Sequence, residues 1–211
     1  MTEGQLNTLF KWQKTPDFAR QVTQLDQKVG NHLLTEGRLK PLREALILRD
    51  FADTLGFSEC RLCPAEFPDG ELRDAGGTEL QVEITEVQTP GRRRGDEYKA
   101  FSEGSESAMS HHEWAEVRET GSKWVDWMLE GIRKKVEKKY DKNVKFDIIV
   151  YNDISHLFGT PEISKLSEAV GQLLHNSGYL NHWIWQYRST TIDLLWPRVL
   201  CLKIPGWESR F

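Results

Sequence analysis

The feature that most constrains this chain is a hairpin written into residues 68 to 87. It comprises Pro68-Asp69, a glycine-centred turn at Ala75-Gly76-Gly77, and the run Gln81-Val82-Glu83-Ile84-Thr85-Glu86-Val87. Period-two alternation of apolar and polar residues marks a half-buried strand, and a short Gly-bearing loop is a common hairpin connection. With a three-residue loop at 75 to 77, Asp69 lies directly across from Glu83 and both side chains share one face. A two-residue loop at Gly76-Gly77 would instead pair Asp69 with Ile84 and turn Glu83 to the other face. The three-residue loop is favoured because Val82 and Ile84 then both point to the core.

Two opposed carboxylates repel unless a cation or a shared proton neutralises them. A hard divalent metal is the simplest remedy, since Mg²⁺ prefers one or two carboxylates, with water and a substrate phosphate completing its shell. Asp69 and Glu83 are therefore the candidate ligands, for Mg²⁺ or Mn²⁺. Asp74 sits beside the turn, five residues from Asp69 and so roughly 16 Å away at strand rise, and is set aside.

At 211 residues the chain suits one well-buried domain, with 38% hydrophobic and 28% charged residues and eight tryptophans for the core. The net charge of -4 does not announce a polyanion partner, so any nucleic-acid site must rest on local charge. No apolar run reaches membrane-span length, and MTEGQLNTLFKWQK lacks the apolar core of a secretory signal. Three cysteines in a chain of this size fit a reducing compartment, and the expected location is cytoplasmic. Cys60 and Cys63 have knuckle spacing, but a structural zinc needs four ligands and only Cys201 and a distant histidine remain. Buried thiols are the expectation.

Along the chain, Thr15 reads as an N-cap followed by Pro16, and Phe18, Val22, Leu25, Val29 and Leu33 recur at helical spacing. Asp17 in that first turn is explained by the helix dipole and needs no catalytic role. A second helix spans about 40 to 55 and stops at Gly56. Strands follow at 58–66, 67–74 and 79–88, then a long exposed loop over 89–105. A helix over about 110–140 carries the stripe Trp124, Trp127, Met128, Ile132, Val136 and Tyr140, with a break at Gly121. Then come a buried strand (Lys145 to Tyr151), a helix from Pro161, and last strands near 182–187 and 191–196. This order implies an α/β protein, a mixed central sheet flanked by helices. The chain divides into an N-terminal helical extension (1–39), a core (40–155) and a C-terminal helix with strands.

That order, with Pro-Asp ahead of a strand bearing Glu-x-Thr, resembles the PD-(D/E)xK nuclease superfamily, the restriction-endonuclease-like fold, over roughly residues 40 to 155. The run from Val82 to Val87, followed by Pro90-Gly91-Arg92-Arg93-Arg94-Gly95-Asp96-Glu97-Tyr98, is also similar to an uncharacterised bacterial nuclease-like branch in which Glu-x-Thr replaces Glu-x-Lys. The resemblance implies a Mg²⁺-dependent endonuclease cutting nucleic-acid phosphodiesters, DNA more than RNA. Asp69 and Glu83 would be its metal ligands, and Glu44 on the first core helix an assisting acid. A homodimer is compatible with it.

The departure is at Thr85, which holds the place of the family's lysine, a residue that orients water and stabilises developing negative charge. Arg92, Arg93, Arg94 or Lys99 folding over the site would restore that charge, as would a second metal. Without either, the expectation is an inactive module that binds nucleic acid or a protein partner. The bland reading of Glu83 and Thr85 is a solvent-facing strand edge.

Other signals carry simpler readings. Residues 133 to 142 hold Arg133, Lys134, Lys135, Lys138, Lys139 and Lys142 against Glu137 and Asp141, a face that suits a phosphate backbone or plain solvent. Trp124 and Trp127 read as core residues and not as base-stacking platforms. His111-His112-Glu113 is a helix start, because adjacent helical residues point about 100° apart. Asp153 reads as a turn residue.

Overall fold

The computed structural model describes residues 3–30, 32–87, 123–138, 146–152, 160–174, 179–186, 191–196 and 200–203. In chain order these form α1 (Glu3–Asn7), β1 (Gln13–Lys14), α2 (Thr15–Val29), α3 (His32–Thr35), α4 (Lys40–Leu55), β2 (Glu59–Leu62), β3 (Gly70–Arg73) and β4 (Glu79–Val87). They continue with α5 (Lys123–Val136), β5 (Phe146–Asn152), α6 (Thr160–Leu174), β6 (Tyr179–Gln186), β7 (Thr191–Trp196) and β8 (Leu200–Lys203).

The strands make one mixed sheet in sequential order. β1 to β4 are antiparallel, β4–β5 and β5–β6 are parallel, and β6 to β8 are antiparallel again. Parallel neighbours need crossovers, which α5 and α6 supply. This is the expected α/β architecture, with two strands more than the sequence suggested: the short β1, and β8 at the far edge.

The alternation of β4 sorts the two cores. Val82 and Ile84 join Phe18, Val22, Leu25, Leu42, Leu48 and Phe51 of α2 and α4 on one face. Val87, with Ile148 and Val150 of β5, packs on Met128 and Ile132 of α5 and Leu166 and Val170 of α6 on the other. Helices thus cover both faces of the central strands. The N-terminal segment read as an extension belongs to the first core, and β1 pairs with β2.

Local chemistry explains the details. Thr15 does not cap α2; its buried hydroxyl donates to the Phe57 carbonyl at 2.6 Å and its N–H to Ser58 at 3.0 Å, tying α2 to the segment after α4. Asp17 pairs with Arg20 in solvent, as its place in a first turn implied. Gly56 ends α4 in the left-handed region (φ 74°), where an L side chain is disfavoured. The strands expected at 58–66 and 67–74 are shorter. Between them the chain bends through the cis Phe67–Pro68 peptide, closed by the Cys63 N–H donating to the Asp69 carbonyl at 3.0 Å.

Candidate metal centre and its cleft

The β3–β4 hairpin adopts the expected register: Gly70 pairs with Val82 and Arg73 with Glu79. Asp74 and Thr78 close the loop over 75 to 77. The Asp74 N–H donates to the Thr78 carbonyl, Asp74 Oδ1 accepts from the Thr78 N–H at 2.8 Å, and Gly77 takes φ 85°. These backbone bonds hold the Asp74 carboxyl below its ordinary pKa. Asp74 is a turn residue, away from the site.

At the other end of the hairpin Asp69 is 8% exposed. Its N–H donates to the Val82 carbonyl at 3.1 Å, and its Oδ2 accepts from the Ile84 N–H at 2.7 Å. Backbone and side chain of Asp69 together therefore bracket the Glu83 position, and Glu83 is fully buried on the α5 side of β4. The solvent-edge reading of Glu83 is incorrect.

Among the described residues, the cation whose ammonium lies within 4 Å of both acids is Lys135 of α5. Its ammonium hydrogen-bonds Glu83 Oε1 and lies 3.8 Å from Asp69 Oδ2, and its side chain is 17% exposed. Sequence reading took Lys135 as one of a run of solvated or phosphate-facing lysines. The signal was its position: three residues after Ile132 and seven after Met128, both fully buried, it falls on the core-facing stripe. Lysine is rarely placed there unless paired. Close approach of the helix makes the contact. A Cβ on Gly131 would lie 2.5 Å from Val87 Cγ2, so α5 rests almost directly on β4 one turn before Lys135.

Glu44 of α4 stands nearby but is engaged differently. It accepts a hydrogen bond from Lys40 at 2.9 Å. Burial, then the Asp69 charge, raises its carboxyl pKa against the opposing pull of Lys40 and Lys135. That hydrogen bond, with the charges of Glu44, Asp69 and Glu83, raises the Lys40 ammonium in turn. Asp147, also buried, pairs with Val82 and so shares the face opposite Glu83. The sequence hid it inside an apolar run.

Thr85 lines a cleft of about 460 Å³ between β4 and α5, shared with Lys135, Lys134, Lys138, Trp127 and Gly131. Trp127, expected in the core, is partly buried against the second cluster and borders this cleft. Cys60 and Cys63 are free thiols, with burial foremost in pushing each up to about 12. Arg92, Arg93, Arg94, Lys99, the His111-His112-Glu113 stretch and Asp153 lie outside the described residues, as does the side chain of Trp124.

The donor set suits a hard divalent ion. Asp69 and Glu83 offer carboxylate oxygen atoms, the ligand type such ions prefer, and the Lys135 ammonium meets both. Among the described residues no group of three or more His, Cys, Asp and Glu side chains could hold a metal. The protein would thus supply two ligands, which Mg²⁺ accepts when water and phosphate complete its shell. Among the described residues no helix is long and apolar enough to cross a membrane. Comparison of the chain with family models, with curated proteins and with solved structures finds no match.

Proposed function

We propose that this protein is a metal-dependent nuclease of restriction-endonuclease-like build, acting on nucleic-acid phosphodiesters, DNA in preference to RNA. The observation that carries the reading is the convergence of Asp69, Glu83 and Lys135 at one buried spot beside a lysine-lined cleft. The lysine absent from the strand at Thr85 has a counterpart from α5.

Asp69 and Glu83 would hold Mg²⁺ or Mn²⁺, which when bound supplies positive charge to phosphate oxygens and lowers the pKa of water. Lys135 would turn its ammonium from the carboxylates toward a phosphate oxygen and stabilise charge developing there. Its low exposure restricts that movement to the cleft side. Lys40, on the Glu44 side of Asp69, adds a second positive charge near the acids. The free thiols Cys60 and Cys63 support the cytoplasmic placement.

The test is cleavage of plasmid, single-stranded DNA and RNA with Mg²⁺ or Mn²⁺, comparing the native chain with Asp69→Ala, Glu83→Ala and Lys135→Ala variants purified identically. Metal-dependent cutting lost in all three supports the nuclease. Binding without cutting assigns the non-catalytic nucleic-acid module instead, and unchanged cutting in the variants rejects the site.

A further inference from the structure

One wall of the cleft is built beyond what metal chemistry requires. Trp127, Gly131 and Lys134 of α5, spaced i, i+4 and i+7, line it as one ridge of the helix, and Lys138 joins them from the turn that follows. Trp127 stands at one end, backed by the second core cluster. Gly131 leaves a gap without a side chain, and two lysines follow, Lys134 in the last turn of the helix and Lys138 just past it. A held aromatic surface leading into ammonium groups is the arrangement that binds single strands, where bases stack on the ring and the backbone tracks the cations.

The acids at the cleft do not cancel this. Glu130, which lines it, pairs with Arg133 at 2.6 Å and lies 3.8 Å from Lys134. Lys138 lies 3.5 Å from Glu66, which is 87% exposed. Such solvent-exposed pairs are weak and exchange readily for phosphate. Glu86, exposed, also lines the cleft. The volume, about 460 Å³, is in the range of small-ligand pockets and is enough for a nucleotide.

We propose that this cleft holds an unpaired nucleic-acid strand, with a base stacked on Trp127 and backbone phosphates on Lys134 and Lys138, next to Asp69, Glu83 and Lys135. As a choice of substrate it rests on the nuclease reading, while strand binding itself can be measured without cleavage.

The experiment is fluorescence anisotropy of a labelled oligothymidylate, and of a duplex of equal length, titrated with the full chain in EDTA over a series of salt concentrations. The single strand binds more tightly than the duplex. Trp127→Leu weakens the single strand by about 5-fold or more, the loss of one stacked base. The double variant Lys134→Ala/Lys138→Ala lowers the salt slope by about 1.4, two contacts at about 0.7 each. Both lysines are surface residues, so this variant reads the cleft even where Trp127→Leu disturbs packing. Equal binding of strand and duplex overturns the proposal, as does an unchanged salt slope in the double lysine variant. A chain that binds as stated yet cuts nothing with Mg²⁺ or Mn²⁺ keeps the strand cleft and rejects the nuclease. One that cuts while both variants bind like the native chain keeps the nuclease and rejects the cleft.

Discussion

Gly131 and Val87 fix how closely α5 lies on β4: a Cβ added to the glycine would sit 2.5 Å from Val87 Cγ2. Lys135 is one turn further along the same face, so its reach to Glu83 depends on that contact. Gly131→Ala is expected to lower stability by about 1–3 kcal/mol through overpacking, offset in part by the better helix propensity of alanine. Adding Val87→Ala should recover part of the loss by making room. A double-mutant cycle by urea unfolding measures the coupling, and additive effects would refute this account.

Lys135 is the ammonium partner of a fully buried glutamate, and removing it takes that partner away. Lys135→Met should destabilise by about 3–5 kcal/mol, with Lys135→Met/Glu83→Gln costing less than the single change. Millimolar Mg²⁺ should stabilise Lys135→Met more than the native chain, since the metal replaces the lost cation. Thermal unfolding with and without Mg²⁺ decides this; equal metal shifts would count against metal binding at Asp69 and Glu83.

Glu44 has its folded carboxyl pKa raised above the ordinary 4.5, with burial the largest cause and the Asp69 charge next. A raised pKa means the folded state holds the proton more tightly than the unfolded chain. The favourable contribution is complete below the unfolded value and is lost as pH rises through the folded one. Glu44→Gln, which keeps the neutral form, should raise the melting temperature near pH 7 and lose that advantage below about pH 4. A gain that persists at low pH would contradict the assignment.

Cys60 and Cys63 are held at about 12, above the usual thiol range, so at pH 8 almost none of either is thiolate. Alkylation by iodoacetamide, followed peptide by peptide, should be slow at both in the native chain and fast in denaturant. Rapid native labelling at either position would show that its thiol is not shielded as described.

What the sequence made legible was what short-range pattern controls. The 75–77 loop carries a glycine where φ is positive, and Val82 and Ile84 alternate with Glu83, so hairpin register and the meeting of Asp69 with Glu83 could be read directly. The helices with apolar stripes were equally plain. Lys135 was not, because its pairing depends on how α5 docks, through Gly131, on a strand far away in sequence. Its chemistry is identical to that of its lysine neighbours, and only its angle on the helix differs. Thr15 was misread for a related reason: its hydroxyl finds a distant carbonyl at Phe57 in place of a local amide. The two-residue β1 is too short for an alternation to register.

The bond from the Ile84 N–H to Asp69 Oδ2 makes one backbone amide a sensor of the whole centre. A carboxylate recruited to an ion would have less electron density to offer that amide. Hydrogen–deuterium exchange at this single position would therefore change if Asp69 took up an ion, without any substrate present.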